Sequence, residues 1–380
     1  MKEYEARLAN VQQEVKDRRL DALLIFDPVS QNYLTGYQTM ELTHYRCLVV
    51  PPRSRPSMVT SNFERPGVHL TSWVEDISEY HYFRGDYLGA TVKSLSRVAP
   101  KARRVGIEKD AVLLTPQRYE GLLSALKGVE VVDASDLVKK FRRIKSDREV
   151  GYTREASRIT SLGMKASVEA VSAGAKDSDV AAAAYEVMTS AGSEYTCYAP
   201  FVTTGRRSGV PHTTFIGLPI LKNDIVFIEL GACVKRYSGP LMRTVRVGNA
   251  PRAVDQNAST LIRVLDEVID TISPGVSCDE VARRVRGKGF KPVGSRVISP
   301  SLVDGDFGYG IGLGFPPDWG GDGPLIAPGD ETILEPGMVF HLNETFREVA
   351  KYGLSFSETV VVTKGGCEVL TDYPREFVRK

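Results

Sequence analysis

Cysteine, histidine and tryptophan are scarce in this sequence: five, five and two among 380 residues. The cysteines, Cys47, Cys197, Cys233, Cys278 and Cys367, are scattered and form no Cys-x-x-Cys pair. That spacing argues against a zinc–thiolate site or a disulfide scaffold and points to buried thiols in a reducing cytoplasm. No apolar run approaches the roughly 18–20 residues that cross a bilayer. The first twenty residues are charged throughout and hold no signal-peptide core. Neither sign of charge dominates. Lys plus Arg number 49 and Asp plus Glu 47, a net +2, so neither nucleic acid nor a membrane surface is an expected partner. The remainder, 42% hydrophobic and 25% charged, is ordinary for a globular chain, and its length predicts two domains.

The pattern of apolar residues divides the chain near position 145. Leu8, Val11 and Val15 fall at helical spacing and predict an amphipathic first helix. Asp21–Phe26, Arg46–Val50 and Val105–Glu108 read as strands and Tyr119–Leu126 as a helix, so residues 1–145 are expected to form an α/β domain. The basic run Lys139–Lys145 reads as a solvated helix end or linker. Residues 146–380 begin with a long helical pattern, Ser146 to about Val171. They also contain an internal repeat. Ser172–Ala181 (SAGAKDSDVA) and Ser273–Ala282 (SPGVSCDEVA) match at a constant separation of 101 positions. Each copy reads as a polar-capped turn entering a helix. Each is followed by a strand pair: Asp224–Glu229 with Arg243–Val245, and Gly337–Asn343 with Glu358–Val360. The second domain is therefore expected to be two helix-plus-hairpin halves sharing one sheet, with a pocket where they meet.

Chemistry has few carriers. His212 lies in a polar, glycine-rich stretch just ahead of the first strand pair, where it can titrate near neutral pH. His341 and Asn343 alternate along one strand and share a face. Glu229 follows an apolar strand, where a carboxylate is costly unless a cation or hydrogen bonds meet it. That cation is either a structural partner such as Arg243 or a substrate. Glu358 occupies the matching strand of the second half and carries the same two readings. Gly308–Gly314 (GYGIGLG) has neither the order of a dinucleotide fingerprint nor the lysine of a P-loop, and reads as a tight loop exposing its backbone.

Together these segments resemble the pita-bread family of aminopeptidase P, prolidase and creatinase, over nearly the whole chain. The resemblance rests on Asn32–Tyr37 (NYLTGY), Arg142–Arg148 (RRIKSDR), GACVKRYSGPLMRTVRVG, GYGIGLGF and PGMVF. It implies a creatinase-like α/β domain at 1–145 and an α+β pita-bread domain with pseudo-twofold duplication at 146–380. The five positions that hold two metal ions in the family's peptidases correspond to Glu229, Pro240, Tyr309, Asn343 and Ser357. Only one is a carboxylate, so no metal or other cofactor is expected. The resemblance is closer to the metal-free branch, creatinase and ectoine hydrolase, the latter through GYGIGLGFPPDWG. The segment Glu344–Ser355 fits that branch less well.

The branch implies hydrolysis of a C–N bond in a small cationic amidine-type compound. His212 would be the acid/base and Glu229 the anchor or nucleophile. Tyr309, His341, Asn343 and Glu358 are further expected substrate-binding residues. By analogy with creatinase, a homodimer is expected, its pocket completed by Leu42 and His44 of the partner's N-terminal domain. Two other readings stay open: a metallodipeptidase with unusual ligands, and a binding protein of this fold without catalysis.

Overall fold

The computed structural model describes residues 2–321 and 323–380, in two compact units, Met1–Arg142 and Arg143–Lys380. The division falls inside the basic run. Within that run Lys139 pairs with Asp110, Lys140 with Glu14 and Arg142 with Asp27.

The first unit is a sheet flanked by helices. Its elements are α1 (Lys2–Asp17), β1 (Ala22–Ile25), α2 (Pro28–Thr35), β2 (Cys47–Val50), β3 (Ser57–Ser61), α3 (Arg65–Thr71), β4 (Asp76–Tyr80), α4 (Tyr87–Val98), β5 (Arg104–Ile107), α5 (Pro116–Ala125), β6 (Glu130–Asp133) and α6 (Asp136–Arg142). The strand order is β4-β3-β2-β1-β5-β6. Leu8, Val11 and Val15 are the buried residues of α1. Strand β1 is buried at every position, which is why Ala22–Ile25 is a continuous apolar run without alternation.

The second unit opens with α7 (Asp147–Ala170). The Ser146 side chain caps the Glu149 N–H and the Glu149 carboxylate caps Ser146 N in return. There follow α8 (Asp177–Ser190), β7 (Phe201–Thr204), β8 (Ile225–Val234), β9 (Tyr237–Arg246), α9 (Arg252–Thr271), α10 (Cys278–Gly287), β10 (Val297–Ile298), β11 (Gly308–Gly310), β12 (Val339–Glu348), β13 (Tyr352–Thr363), β14 (Gly366–Val369) and β15 (Val378–Arg379). The duplication is visible in the backbone. Each half runs helix, helix, hairpin: α7, α8, β8–β9 and α9, α10, β12–β13. The repeated turn is built identically. Gly174 and Gly275 both take positive φ, near 90°, and donate their N–H to Ile220 O and Leu334 O, each at 2.9 Å. Only glycine adopts that conformation without strain, which is why this residue recurs in both copies.

The hairpins meet side by side, with β9 of one half against β13 of the other. Side chains, not a backbone ladder, bridge this seam, so each half keeps its own sheet and the single shared sheet expected from the sequence is not formed. Met242 N donates to Ser357 Oγ at 2.6 Å, Ser355 N to Thr244 Oγ1 at 2.7 Å, and Thr359 Oγ1 to Pro240 O at 2.8 Å. All of these side chains are buried. Ser357 and Thr359 of β13 thus satisfy backbone groups of β9, and Thr244 of β9 satisfies those of Ser355 in return. The family's expected α+β architecture is present.

Two elements differ from the sequence reading. β8 continues five residues past Glu229 to a tight turn at Lys235 and Arg236, both at positive φ. A Cβ on Gly231 would stand 2.4 Å from the Trp319 ring, so this glycine makes room for tryptophan and does not end the strand. Gly308–Gly310 is a short strand, not a loop. Pairing against β12 sets Tyr309 opposite His341, at a closeness that would leave a Gly308 Cβ only 2.7 Å from His341 O.

Candidate active site

The second unit holds a cavity of about 450 Å³ on one side of the two hairpins. Its floor comes from the strands: Phe227 and Glu229 of β8, Met242 of β9, and Asn343, Thr345 and Arg347 of β12. Phe201 of β7, Tyr309 of β11, Tyr198 and Trp319 form aromatic walls. Val210–Thr213 and Asp318 lie at the rim. Period-two alternation delivers these side chains. Residues 343, 345 and 347 face the cavity, while Phe340, Leu342 and Phe346 enter the apolar core behind.

Glu229 sits in the middle, paired across the ladder with Phe201 on one side and Met242 on the other. Among the described residues no donor bonds its carboxylate. Burial raises its pKa to about 7, and the charge of Arg347 only partly offsets the rise. Arg347 is the cavity's cation. Its Nη1 donates to Ser208 O at 2.7 Å and its guanidinium lies 5.0 Å from the Phe227 ring centre. Among the described residues it forms no salt bridge with a carboxylate, and its other donors have no acceptor. Asn343 also lines the cavity, and among the described residues its side-chain amide has no hydrogen-bond partner.

His212 is exposed at the rim, with φ of 55°. Histidine is one of the few side chains that tolerate this left-handed geometry. The segment is held from beneath by fully buried Asp177. Its carboxylate accepts the N–H of Ile216, Gly217 and Leu218, and Arg207 bonds Thr214 O at 2.6 Å.

Tyr309 and His341 form a pair. The Tyr309 hydroxyl is 3.0 Å from His341 Nδ1, and His341 Nε2 is 2.8 Å from Ser357 Oγ. His341 is completely buried, and desolvation lowers its pKa to about 3, so it is neutral at physiological pH. It stands behind Tyr309 and not in the cavity, a correction to its expected role as a direct substrate contact.

Glu358 requires a further correction. It belongs to the adjacent face of β13 and is absent from the cavity lining. Arg243 Nη2 bonds its carboxylate at 2.6 Å, Thr371 Oγ1 donates to it, and Arg375 lies 3.8 Å away. Arg243 is itself fully buried and donates to the carbonyls of Ser357, Tyr373 and Pro374. The two carboxylates that looked alike in sequence are thus opposite cases. Glu358 is salt-bridged to a structural arginine, and among the described residues Glu229 has no salt bridge. Leu42 and His44 lie in the first unit, between α2 and β2. There His44 stacks on Tyr82, with ring centres 4.1 Å apart, and its Nδ1 is 3.1 Å from Glu41.

Sequence reasoning missed Arg347, Phe201, Phe227, Trp319 and Asp318 as cavity residues. For Arg347 the signal was present, since it continues the same-face series of His341 and Asn343 by two further steps.

The fold and this cavity define a class. Residues 151–364 match metallopeptidase family M24 and residues 7–144 match the creatinase/prolidase N-terminal domain, and the chain belongs to that family. It is a pita-bread hydrolase. More particularly, it is 30% identical over its whole length to ectoine hydrolase of Halomonas elongata, covering 97% of that protein. It is 33% identical, with the same coverage, to the uncharacterized hydrolase/peptidase y4tM of Sinorhizobium fredii. The fold is that of the Xaa-Pro dipeptidase from Bacillus anthracis, with a TM-score of 0.81 at 20% identity over 99% of this chain and all of the other.

The family name implies metal, and the residues present do not fit it. Among the described residues no three His, Cys, Asp or Glu cluster so as to hold an ion. Pro240 offers no side-chain ligand. Ser357 is committed to Met242 N and His341, and the Tyr309 hydroxyl to His341. Nor, among the described residues, is any helix long and apolar enough to cross a membrane.

Proposed function

We propose that this protein is a metal-independent hydrolase of a C–N bond in a small cyclic amidine carrying a carboxylate, ectoine or a close relative. The observation that carries this reading is Glu229, a carboxylate facing an aromatic-walled cavity that, among the described residues, has no salt bridge or hydrogen-bond donor and only the more distant charge of Arg347. A desolvated acid in a cleft with no bonded partner marks a functional site. An amidinium fits, because its two N–H groups match the two carboxylate oxygens. Arg347 supports the second half of the substrate description, since its free donors suit a carboxylate.

His212 at the rim takes a proton from water as the water oxygen bonds to the amidine carbon. The C=N π pair moves onto nitrogen. His212 then returns the proton to the departing nitrogen as the C–N bond breaks, and the hydroxyl's remaining proton passes to the released amine as the carbonyl forms, leaving an amide and an ammonium group. Glu229 holds the cation through these steps; a covalent role for it is the alternative. The working form is proposed to be a cytoplasmic homodimer in which the partner's Leu42–His44 segment completes the cavity.

The test is proton NMR of ectoine incubated with protein dialysed against chelator. Ring opening at a rate unchanged by added Mn²⁺ is expected. Cleavage of Xaa-Pro dipeptides only with Mn²⁺ would establish the metallodipeptidase reading instead. Ectoine bound without turnover would establish a binding protein.

A further inference from the structure

Behind the cavity wall, a chain of buried hydrogen bonds runs from Met242 N through Ser357 Oγ and His341 to the Tyr309 hydroxyl, and its direction can be deduced. A backbone N–H only donates. Met242 N therefore donates to Ser357 Oγ, at 2.6 Å. The Ser357 proton must go elsewhere, and among the described residues its one remaining neighbour is His341 Nε2, at 2.8 Å. Ser357 is fully buried, so water cannot take that proton. If Nε2 instead carried hydrogen, Ser357 would accept twice and strand its own proton in the interior, which buried hydroxyls avoid. Ser357 thus donates to Nε2. A neutral imidazole with bare Nε2 carries its hydrogen on Nδ1. Nδ1–H then donates to the Tyr309 oxygen, at 3.0 Å. Among the described residues the Tyr309 proton has no protein acceptor. Tyr309 lines the cavity, and desolvation together with the nearby Glu229 charge keeps its phenol protonated.

We infer that Met242, Ser357 and His341 form a one-way relay that fixes Tyr309 as a hydrogen-bond donor into the active site. Ser357 and His341 are positioning residues, and Tyr309 is the catalytic residue they serve. Its chemical role rests on the amidine-hydrolase reading, whereas the direction of the relay does not. In that reaction the water oxygen becomes a carbonyl oxygen. Tyr309 donates to this oxygen as the C–O bond forms and the C–N bond breaks, keeping its own proton throughout. Such a fixed donor stabilises charge developing on oxygen without reorganising during the step. The relay also explains why a serine and a histidine occupy positions from which neither reaches the substrate.

The direction is tested in the unmodified protein by ¹⁵N NMR after labelling its histidines, with His341 assigned from its missing signals in His341→Gln. Nδ1–H with bare Nε2 is expected, unchanged between pH 5 and 8. An Nε2–H tautomer, or an imidazolium in that range, overturns the inference whatever the enzyme's substrate. The role is tested by turnover of ectoine, or of whichever amidine the protein hydrolyses. Tyr309→Phe should lower kcat ~100-fold or more, as removal of one oxyanion donor does. Ser357→Ala should lower kcat with little change in KM and shift the His341 tautomer signals, and Ser357→Thr, which keeps the hydroxyl, should restore both. Wild-type kcat in Tyr309→Phe, or equal losses in Ser357→Ala and Ser357→Thr, would refute the role. No amidine turnover by the unmodified protein would refute the role and the functional reading together while leaving the tautomer result standing.

Discussion

Glu229 is where stability and function oppose each other. Its carboxyl pKa stands at about 7 in the folded protein against an ordinary 4.5, because folding strips water from the charged form. Folding therefore favours the proton, and stability falls as pH rises from about 4.5 through about 7. Above that window the cost is complete, ~2–3 kcal/mol. Glu229→Gln keeps the shape without the charge. Its melting temperature should match wild type near pH 4.5 and exceed it by several degrees at pH 8, as thermal scans at the two values would reveal. Unchanged melting at pH 8 would mean that solvent or a counter-charge already satisfies the carboxylate. Binding should move the other way. Losing the charged hydrogen bonds weakens a cationic ligand by ~1.5–3 kcal/mol, whereas a nucleophilic Glu229 would lose turnover and keep binding. At the rim, His212→Ala should reduce kcat ~100- to 10,000-fold with a smaller change in KM, the range of general acid–base catalysis. Steady-state kinetics with the hydrolysed amidine is the check.

The hairpins translate sequence alternation into a site, and they explain what was legible in advance. The repeated SxGxxxxxVA windows and the strand pairs after them announced two like halves, because turn chemistry and period-two patterning are local. The Trp319 wall was not legible. It depends on Gly231 leaving a gap opposite a residue 88 positions later, and nothing local records that contact. The division of labour between Glu229 and Glu358 was equally hidden, because it depends on which acid Arg243 reaches across the β9–β13 seam. Two substitutions test these elements. Gly231→Ala places a methyl against the indole and should cost ~1–3 kcal/mol as overpacking. It should also raise KM, because the displaced ring is a cavity wall. Denaturant titration and tryptophan fluorescence would register both effects. Glu358→Ala leaves Arg243 buried without its carboxylate and should destabilise by ~3–5 kcal/mol. Whatever protein folds should keep its KM. A raised KM at full stability would return Glu358 to the substrate site.

At the scale of the whole molecule the open question is how many chains make a site. Part of the answer lies on the surface of the first unit. Phe63 and Phe83 are mostly exposed and pack with Tyr82, and Tyr82 stacks on His44. Water is a poor neighbour for such a cluster, and apolar groups gathered on a surface mark contact sites. The segment carrying Leu42 and His44 is thus suited to meeting another molecule, which agrees with the shared-site homodimer proposed above. A twofold dimer makes that idea quantitative. If each cavity uses His212 from one chain and Leu42–His44 from the other, His212→Ala and Leu42→Asp both inactivate. Their mixed dimer, however, contains one cavity in which both parts are intact. Random assembly makes half the dimers mixed, each with one working site of two, so co-expression of the two variants should restore about a quarter of wild-type activity. No restoration, with both variants inactive by themselves, would show that each chain completes its own cavity, and full activity of Leu42→Asp by itself would remove this segment from the site. Sedimentation at micromolar concentration gives the independent check: a dimer in the wild type is expected, and a monomer that still turns over substrate would exclude the shared site.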